Sequence, residues 1–187
     1  MKNLIKILAV IVSLSITSQA QTVYKVNTNK TKLSWTGYAS VGNYAPTGTL
    51  NVGVGNLILN GKNVQKAQIE FDMKTISHEN KDLQNHLRNE DFFDVEKYPK
   101  AIFILQKIAN NQAIGLLKIK NVQRKISFPI TMNIVDNEVN IKGSINIDRT
   151  AFGIKYNSIN FFQNLGDYAI KDNFRLEIDL WADQTIK

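Results

Sequence analysis

Apolar and polar residues alternate along five stretches of the chain between residues 33 and 182. In residues 69–73, for example, Ile69, Phe71 and Met73 are separated by Glu70 and Asp72. Successive side chains of a β-strand point to opposite faces, so this pattern is typical of a strand with one buried face. The other four stretches are 33–37, 126–134, 141–147 and 174–182. The repeated alternation predicts an antiparallel sheet with one face in water.

Turn-forming residues separate the predicted strands. Asn and Gly adopt the positive φ angles that tight hairpin turns require, and such residues occur here as Asn60-Gly61, Asn110-Asn111, Asn121 and Asp136-Asn137. Three further segments, 49–59, 101–108 and 113–120, bring the prediction to eight strands in a meander. Closure removes the exposed edges of a long sheet, so we predict an eight-stranded antiparallel β-barrel. A two-sheet sandwich fits the alternation almost as well.

Residues 78–98 do not alternate and predict a helical lid. Leu83 and Leu87 lie four residues apart on one helical face, and Asp82 stands near the predicted start, where a negative charge suits the helix dipole. The apolar pair Phe92-Phe93 follows. We therefore expect a short amphipathic helix that packs its apolar face on the barrel.

A second irregular stretch, residues 149–170, is long and rich in aromatic residues. Loops of this length in a compact domain tend to be functional covers or binding segments. We expect the lid and this loop to close one end of the barrel together. The residues predicted at that mouth are Leu83, His86, Leu87, Phe92, Phe93, Phe152, Phe161 and Phe162.

The first 20 residues have the pattern of a secretory signal peptide. Lys2 and Lys6 precede a short apolar run, and Ser18-Gln19-Ala20 forms a small-x-small ending. The apolar run is about half the ~20 residues that a membrane-spanning helix needs. We predict a signal peptide over residues 1–20 and a single exported domain over 21–187.

Composition narrows the function classes. The chain has no cysteine, which excludes disulfides, thiolate catalysis and cysteine-held zinc. Its formal net charge is +7, and loss of residues 1–20 would leave +5. Because the basic residues are spread among acidic ones, with one modest cluster at residues 118–125, we interpret the charge as a solvated surface and predict no nucleic-acid partner.

Few residues suggest catalysis. The two histidines, His78 and His86, are eight apart and do not have metal-ligand spacing, and His86 is better explained by packing or capping on the lid helix. Asp148-Arg149 is interpreted as a structural ion pair or turn lock. There is no nucleophile elbow or phosphate-binding glycine loop. The sequence predicts no enzyme, no metal site and no cofactor.

The predicted inner face of the barrel is almost entirely aliphatic or aromatic. An eight-stranded barrel is either filled by its side chains or holds one slender ligand, and apolar walls suit an alkyl or isoprenoid chain. A filled core remains an alternative; Gly37, Gly115 and Gly143 favour open space weakly. The residues predicted to contact a ligand are Leu33, Trp35, Phe71, Met73, Leu117, Ile119, Phe128, Ile130, Met132, Ile145, Ile147, Phe174, Leu176 and Ile178.

Four segments form a recognisable set: 86–103 (HLRNEDFFDVEKYPKAIF), 115–126 (GLLKIKNVQRKI), 148–154 (DRTAFGI) and 165–167 (LGD) with Ile170. Together and in this order they resemble the YceI-like family. The resemblance implies an exported, lipocalin-like barrel that binds isoprenoid or other amphiphilic lipids. The chain departs from the family at Asn121, where Gly is usual, at Lys120, where His is frequent, and at 43–46, where relatives can carry His. These departures concern the ligand head group more than the fold.

The resemblance also implies a ligand class, an isoprenoid quinone or its precursor, with a fatty acid or fatty amide as further candidates, held for transport, storage or scavenging. The expected location is the periplasm, or the outside of the cell if there is no outer membrane. We leave open a stress-related or interaction protein with a filled core, and an enzyme acting on a lipid head group through His86 and nearby carboxylates. Transient contact with a membrane surface, and a monomer or a homodimer, remain open expectations.

Overall fold

The computed structural model describes residues 21–185. The predicted signal peptide lies outside the described residues. Those residues form nine strands, one α-helix and two short 3-10 helices. In chain order these are β1 (Gln21–Val26), β2 (Lys32–Thr36), β3 (Thr47–Asn60), β4 (Asn63–Ser77), α1 (Lys81–Arg88), β5 (Lys100–Ala109), β6 (Gln112–Ile119), β7 (Val122–Val135), β8 (Glu138–Asp148), two 3-10 helices (Thr150–Phe152 and Gly166–Tyr168) and β9 (Asn173–Gln184).

The nine strands close into an eight-position barrel because β1 and β2 share one position. Both strands pair with β3 on one side and with β9 on the other. Strand β1 takes the half of β3 that includes Leu57, and β2 takes the half that includes Leu50. All other neighbours are consecutive and antiparallel, and the pairing of β3 with β4 completes the ring. The predicted eight-stranded antiparallel barrel is confirmed, and the sandwich is excluded.

Alternation in the sequence corresponds to the inside and outside of the barrel. In β8 the apolar residues Ile145 and Ile147 are buried, whereas Asn146 and Asp148 are exposed. Their partners on β9 are Leu176 and Phe174. Paired residues of antiparallel strands point to the same face, so this register stacks four large apolar side chains inside the barrel.

Tight turns join the hairpins much as predicted. Asn110 and Asn111 both have positive φ, at 51° and 57°, and Gly61 and Asp136 also have positive φ. The β6–β7 turn differs from the prediction, because the positive φ (52°) belongs to Lys120 and not to Asn121. A two-residue hairpin turn needs left-handed backbone at its first central position, and that position is occupied by Lys120.

The connections divide between the two ends of the barrel. The long ones, residues 37–46, 78–99 and 149–172, lie at one end with the 120–121 turn. We call this the lid end. The short turns 61–62, 110–111 and 136–137 lie at the opposite end, the turn end. No helix between residues 21 and 185 is long and apolar enough to cross a membrane.

Candidate functional site

The barrel interior contains a cavity of about 340 Å³. This volume lies at the lower end of the range of about 300–1,000 Å³ that is usual for small-molecule sites. The lining extends from Leu57 and Leu180, in the turn-end halves of their strands, to Phe92 and Phe93 at the lid end. Almost all lining side chains are aliphatic or aromatic, so the interior suits an apolar chain and offers little to a charged group.

Thirteen of the fourteen strand residues predicted to contact a ligand line this cavity. Met132 does not, although it packs on the core. Strand β6 begins at Gln112, opposite Pro129 of β7, so Met132 lies beyond the end of the neighbouring strand, near the turn end. The thirteen that line the cavity are Leu33, Trp35, Phe71, Met73, Leu117, Ile119, Phe128, Ile130, Ile145, Ile147, Phe174, Leu176 and Ile178.

Part of the lining is not predicted from the alternation. In β5 the residues Ala101, Phe103 and Leu105 face the cavity, but Ile102 and Ile104 between them are also apolar. An uninterrupted apolar run does not show which face of a strand is buried. Ile104 is in fact 41% exposed on the outside of the barrel.

Two of the three glycines thought to leave room serve packing instead. A Cβ atom on Gly115 would lie 2.4 Å from the carbonyl oxygen of Ile104 and 2.6 Å from the ring of Phe103. On Gly143 it would lie 3.1 Å from the carbonyl oxygen of Pro129. Only Gly37 lines the cavity with open space around it, since its nearest neighbour would be 4.0 Å away.

The lid is a two-turn helix followed by an apolar turn. The side-chain oxygen of Asn80 accepts hydrogen bonds from the backbone N–H groups of Asp82 (2.9 Å) and Leu83 (3.1 Å), which caps the start of α1. Leu83 and Leu87 then line the cavity from the same helical face, and Phe92 and Phe93 extend this apolar cover.

Three hydrogen bonds hold the lid on the barrel. The guanidinium Nε of Arg88 donates to the carbonyl oxygen of Ile76 on β4 (2.9 Å), and Lys120 Nζ donates to the carbonyl oxygen of Phe92 (3.1 Å). The N–H of Met73 on β4 donates to the carbonyl oxygen of Pro99 (2.9 Å). Within the lid, the buried amide oxygen of Gln84 accepts from the backbone N–H of His78 (3.2 Å). The lid is therefore anchored at both of its ends.

Four residues predicted at the mouth do not line the cavity. Phe152 is buried in the core, and His86 lies outside, with its Nε2 3.2 Å from Asp91 and its ring edge-on to Phe92. Phe161 and Phe162 are 47% and 48% exposed. Both of their backbone N–H groups donate to the carbonyl oxygen of Ser158, which forms a turn on the surface.

The cavity opens between two lid-end connections. Tyr44 of the 37–46 connection and Tyr168 of the 149–172 connection both line it, yet they are 65% and 79% exposed. Neither tyrosine is among the site residues predicted from the sequence. The two connections come together through contacts between residues about 130 positions apart, such as the bridge of Ala39 with Ile170, and no local pattern signals such a contact.

Arg149 fixes the longer of these connections from inside. Its guanidinium is 4% exposed and donates to the carbonyl oxygens of Ile154 (3.0 Å), Ile170 (3.1 Å) and Lys171 (3.1 Å). Burial lowers its pKa below the ordinary value, while the charges of Asp172 and Asp148 oppose the shift. Asp148 itself accepts hydrogen bonds from the N–H and the hydroxyl group of Thr150. The two residues of the predicted Asp148–Arg149 lock therefore stabilise the connection through separate contacts.

Reactive groups are sparse in this site. The indole N–H of Trp35 is buried without a hydrogen-bond partner, and the His78 ring lies 5.8 Å from the Trp35 ring with its Nδ1 accepting from the N–H of Asn80. Within residues 21–185 no group of three or more His, Asp or Glu side chains is arranged to hold a metal ion. The side chains of this site are therefore suited to binding an apolar group.

Comparison with protein families agrees with this architecture. The model of the YceI-like domain matches residues 24–182. The chain belongs to the YceI-like family.

Relatives of this YceI-like chain are similar to it at low sequence identity. A UPF0312 protein of Staphylococcus epidermidis is 34% identical over 101 residues, which are 49% of this chain and 58% of that protein. BcnA of Burkholderia cenocepacia is 21% identical, with a TM-score of 0.66 over 83% of this chain and 98% of BcnA. A polyisoprenoid-binding domain of Saccharophagus degradans implicated in plant cell wall breakdown is 12% identical, with a TM-score of 0.66 over 87% of this chain and 98% of that domain. These two structural likenesses establish the YceI-like fold alone.

Proposed function

We propose that this chain is a lipid-binding protein that holds one slender amphiphile in the barrel for transport, storage or scavenging. The observation that carries the proposal is the apolar cavity of about 340 Å³ with an opening at the lid end. Burying on the order of 300 Å² of apolar ligand surface at about 25 cal/mol per Å² contributes about 7 kcal/mol before entropic costs. Such binding needs few polar contacts.

The ligand we propose has an apolar chain and a small head group. An isoprenoid quinone, its precursor, or a fatty acid or amide fits this description. The likeness to the Saccharophagus degradans domain described as polyisoprenoid-binding supports an isoprenoid chain. The charged residues of the lining are Arg149, Asp167 and Lys171, and all three belong to the connection that flanks the opening, so the head group would lie there and the chain would lie inside.

Binding is a better proposal than catalysis for this site. The histidine considered for head-group chemistry, His86, does not line the cavity, and its neighbour Asp91 does not either. A general acid or base must come within hydrogen-bond reach of the reacting group. A filled-core interaction protein is disfavoured by the open interior.

Export to the periplasm is part of the proposal and depends on the sequence of residues 1–20. Their basic start, apolar run and small-x-small ending support cleavage after Ala20. The amino-terminal residue of the protein recovered from its cells would test this step independently of the ligand.

The first experiment is native mass spectrometry of protein purified from its own cells, followed by solvent extraction and lipid analysis. We expect one long-chain amphiphile per chain. The same spectrum reports whether the protein is a monomer or a homodimer. A bare protein that also fails to take up added isoprenoid quinones or fatty amides would overturn the proposal.

A cavity-filling variant sharpens this experiment. Ala101 faces the cavity on β5, and Ala101→Leu should lower the bound lipid because the added side chain occupies the ligand's space. Ala109→Leu is the matched control, since Ala109 lies on the same strand but does not line the cavity. Equal lipid content in both variants would place the ligand elsewhere.

A further inference from the structure

The opening of the cavity is surrounded by exposed apolar side chains. Among residues 21–185, ten large hydrophobic residues are exposed, and six of them belong to the two connections that flank the opening. The remaining four are Val23, Val54, Ile104 and Val135, scattered over the strands. The six, which we call the portal surface, are Val41, Tyr44, Ile159, Phe161, Phe162 and Tyr168.

Backbone hydrogen bonds join the two connections into one platform. The N–H of Ser40 donates to the carbonyl oxygen of Ala169 (2.8 Å), and the N–H of Lys171 donates to that of Tyr38 (2.9 Å). The N–H of Ile170 donates to the carbonyl oxygen of Asn157 (2.9 Å), which brings in the turn that carries Phe161 and Phe162. The portal surface is therefore held in place by the fold and does not depend on its own side-chain contacts.

The charges around the portal surface are few and mostly basic. The 37–46 connection has no charged residue. On the other connection Lys155 lies 4.5 Å from the ring centroid of Phe161, and Lys171 lies 5.8 Å from that of Tyr38. Asp167 is the exposed acid of this connection, whereas Asp172 is largely buried and lies 3.7 Å from Arg149. Aromatic rings with neighbouring lysines are the side chains found where proteins meet the bilayer interface.

The exposed side chains of the remaining long connection of the lid end are charged or amide. Residues 78–99 expose the acidic side chains of Glu79, Asp82, Glu90, Asp91 and Glu96 and the basic side chains of Lys81 and Lys97. The neighbouring segment 118–125 exposes Lys118, Arg124 and Lys125. Because charged groups are costly to remove from water, this side of the lid end is suited to water, and the portal surface is the side suited to a membrane.

We propose that the portal surface docks on a lipid bilayer, so that an amphiphile passes between membrane and cavity without crossing water. The inference rests on the proposed lipid-binding function. A bilayer suits this position better than a covering protein because Tyr44 and Tyr168 belong to both the portal surface and the cavity lining. The occupant of the surface must therefore deliver the ligand to the opening, which a lipid layer does.

The test uses flotation of the full protein with two kinds of vesicle, phosphatidylcholine alone and phosphatidylcholine with about 30% phosphatidylglycerol. The test variant is Val41→Ser/Phe161→Ser/Phe162→Ser, because none of these three residues lines the cavity. We expect at least about a tenfold loss of vesicle binding to both compositions, since three apolar side chains no longer leave water.

A matched control removes three exposed apolar side chains that lie outside the portal surface. Val23→Ser/Val54→Ser/Val135→Ser alters three residues that are 40%, 50% and 66% exposed on the strands. It should retain vesicle binding within about twofold of the unaltered protein.

A charge variant tests the basic side chains near the portal surface. Lys155→Gln should weaken binding to the anionic vesicles alone, and the weakening should be smaller at high salt. Equal losses in the two triple variants would overturn the docking surface.

Delivery of geranylgeraniol by two routes separates this proposal from the lipid-binding function. Presented in cyclodextrin, it should load the portal variant and the unaltered protein equally; presented in vesicles, it should load the portal variant more slowly. Loading by neither route in the unaltered protein would count against the lipid-binding function, and flotation would still decide the docking surface. A stable dimer that the portal variant dissociates would make the surface a contact between copies and overturn bilayer docking.

Discussion

The Nη1 atom of Arg149 donates a hydrogen bond of 3.0 Å to the carbonyl oxygen of Ile154 in the protein interior. The same guanidinium holds two carbonyl oxygens on the far side of the connection and lies 6.0 Å from the ring centroid of Phe92 on the lid. One buried side chain therefore fixes the connection that carries Tyr168 and contacts the lid. Its removal should affect the lid end as a whole.

Arg149→Met should lower the free energy of unfolding by about 3 kcal/mol, because it leaves buried carbonyl oxygens without donors. Urea denaturation measures this loss. Arg149→Lys should recover only part of it, since a single ammonium cannot reach three carbonyl oxygens in the geometry of a guanidinium.

The control for this change is Arg175→Met on the outer face of β9, where the side chain is about half exposed. Its expected effect is within about 0.5 kcal/mol. Hydrogen exchange should also become faster between residues 150 and 172 in Arg149→Met and stay unchanged in Arg175→Met. A uniform increase over all strands would show that Arg149 does not act on this connection in particular.

Gly115 should not tolerate a methyl group. Gly115→Ala would bring a Cβ atom to 2.4 Å from a backbone oxygen and 2.6 Å from the Phe103 ring, and backbone cannot easily move. We expect a loss of about 2 kcal/mol in unfolding free energy, as for other overpacked cores. Thermal or urea denaturation would reveal it. At Gly37, where the nearest atom is 4.0 Å away, the same substitution should cost less than about 1 kcal/mol.

The sequence predicts the fold well where strands have one clearly polar face. Strand β8 alternates strictly, and its inward residues Ile145 and Ile147 could be named from the pattern alone. In β3 the register with β4 shifts between Val52 and Val54, and the buried positions Leu50 and Val52 are followed by Gly55 and Leu57. This irregularity offsets the period of two, so the inner face of β3 could not be derived by counting.

The opening of the cavity could not be predicted because it depends on contacts distant in sequence. Tyr44 and Tyr168 belong to separate connections that meet only after the barrel closes. Phe161 and Phe162 illustrate the opposite error, since the sequence predicts them at the mouth together with Phe92 and Phe93. A local turn at Ser158 places them on the surface instead. Aromatic content indicates an important loop without showing which of its residues face inward.

The cap of the lid helix should control local opening more than global stability. Asn80→Ala removes the acceptor of two backbone N–H groups and should cost about 1 kcal/mol. Because α1 has only eight residues, this loss should increase hydrogen exchange from Lys81 to Arg88. Asn85→Ala on the exposed face of the same helix is the control and should be neutral or slightly stabilising. Faster exchange in both variants would contradict a specific role for the cap.

Asp179 should make the barrel less stable in acid. Burial disfavours its charge, but hydrogen bonds from Asn140 (2.7 Å) and Lys142 outweigh burial and lower its pKa below the ordinary 3.8. A carboxylate with a lowered pKa in the folded state contributes stability above its unfolded pKa and loses that contribution as pH falls through the folded pKa. Asp179→Asn should therefore be less stable than the unaltered protein at about pH 6, and the difference should shrink towards about pH 2. Urea denaturation across this range measures this difference.

A second variant tests the partner of Asp179. Lys142→Gln, which removes the ion pair at 3.3 Å, should reduce the pH dependence of stability in part. A difference between Asp179→Asn and the unaltered protein that stays constant over the whole range would show that the carboxylate charge is not what stabilises this strand pair.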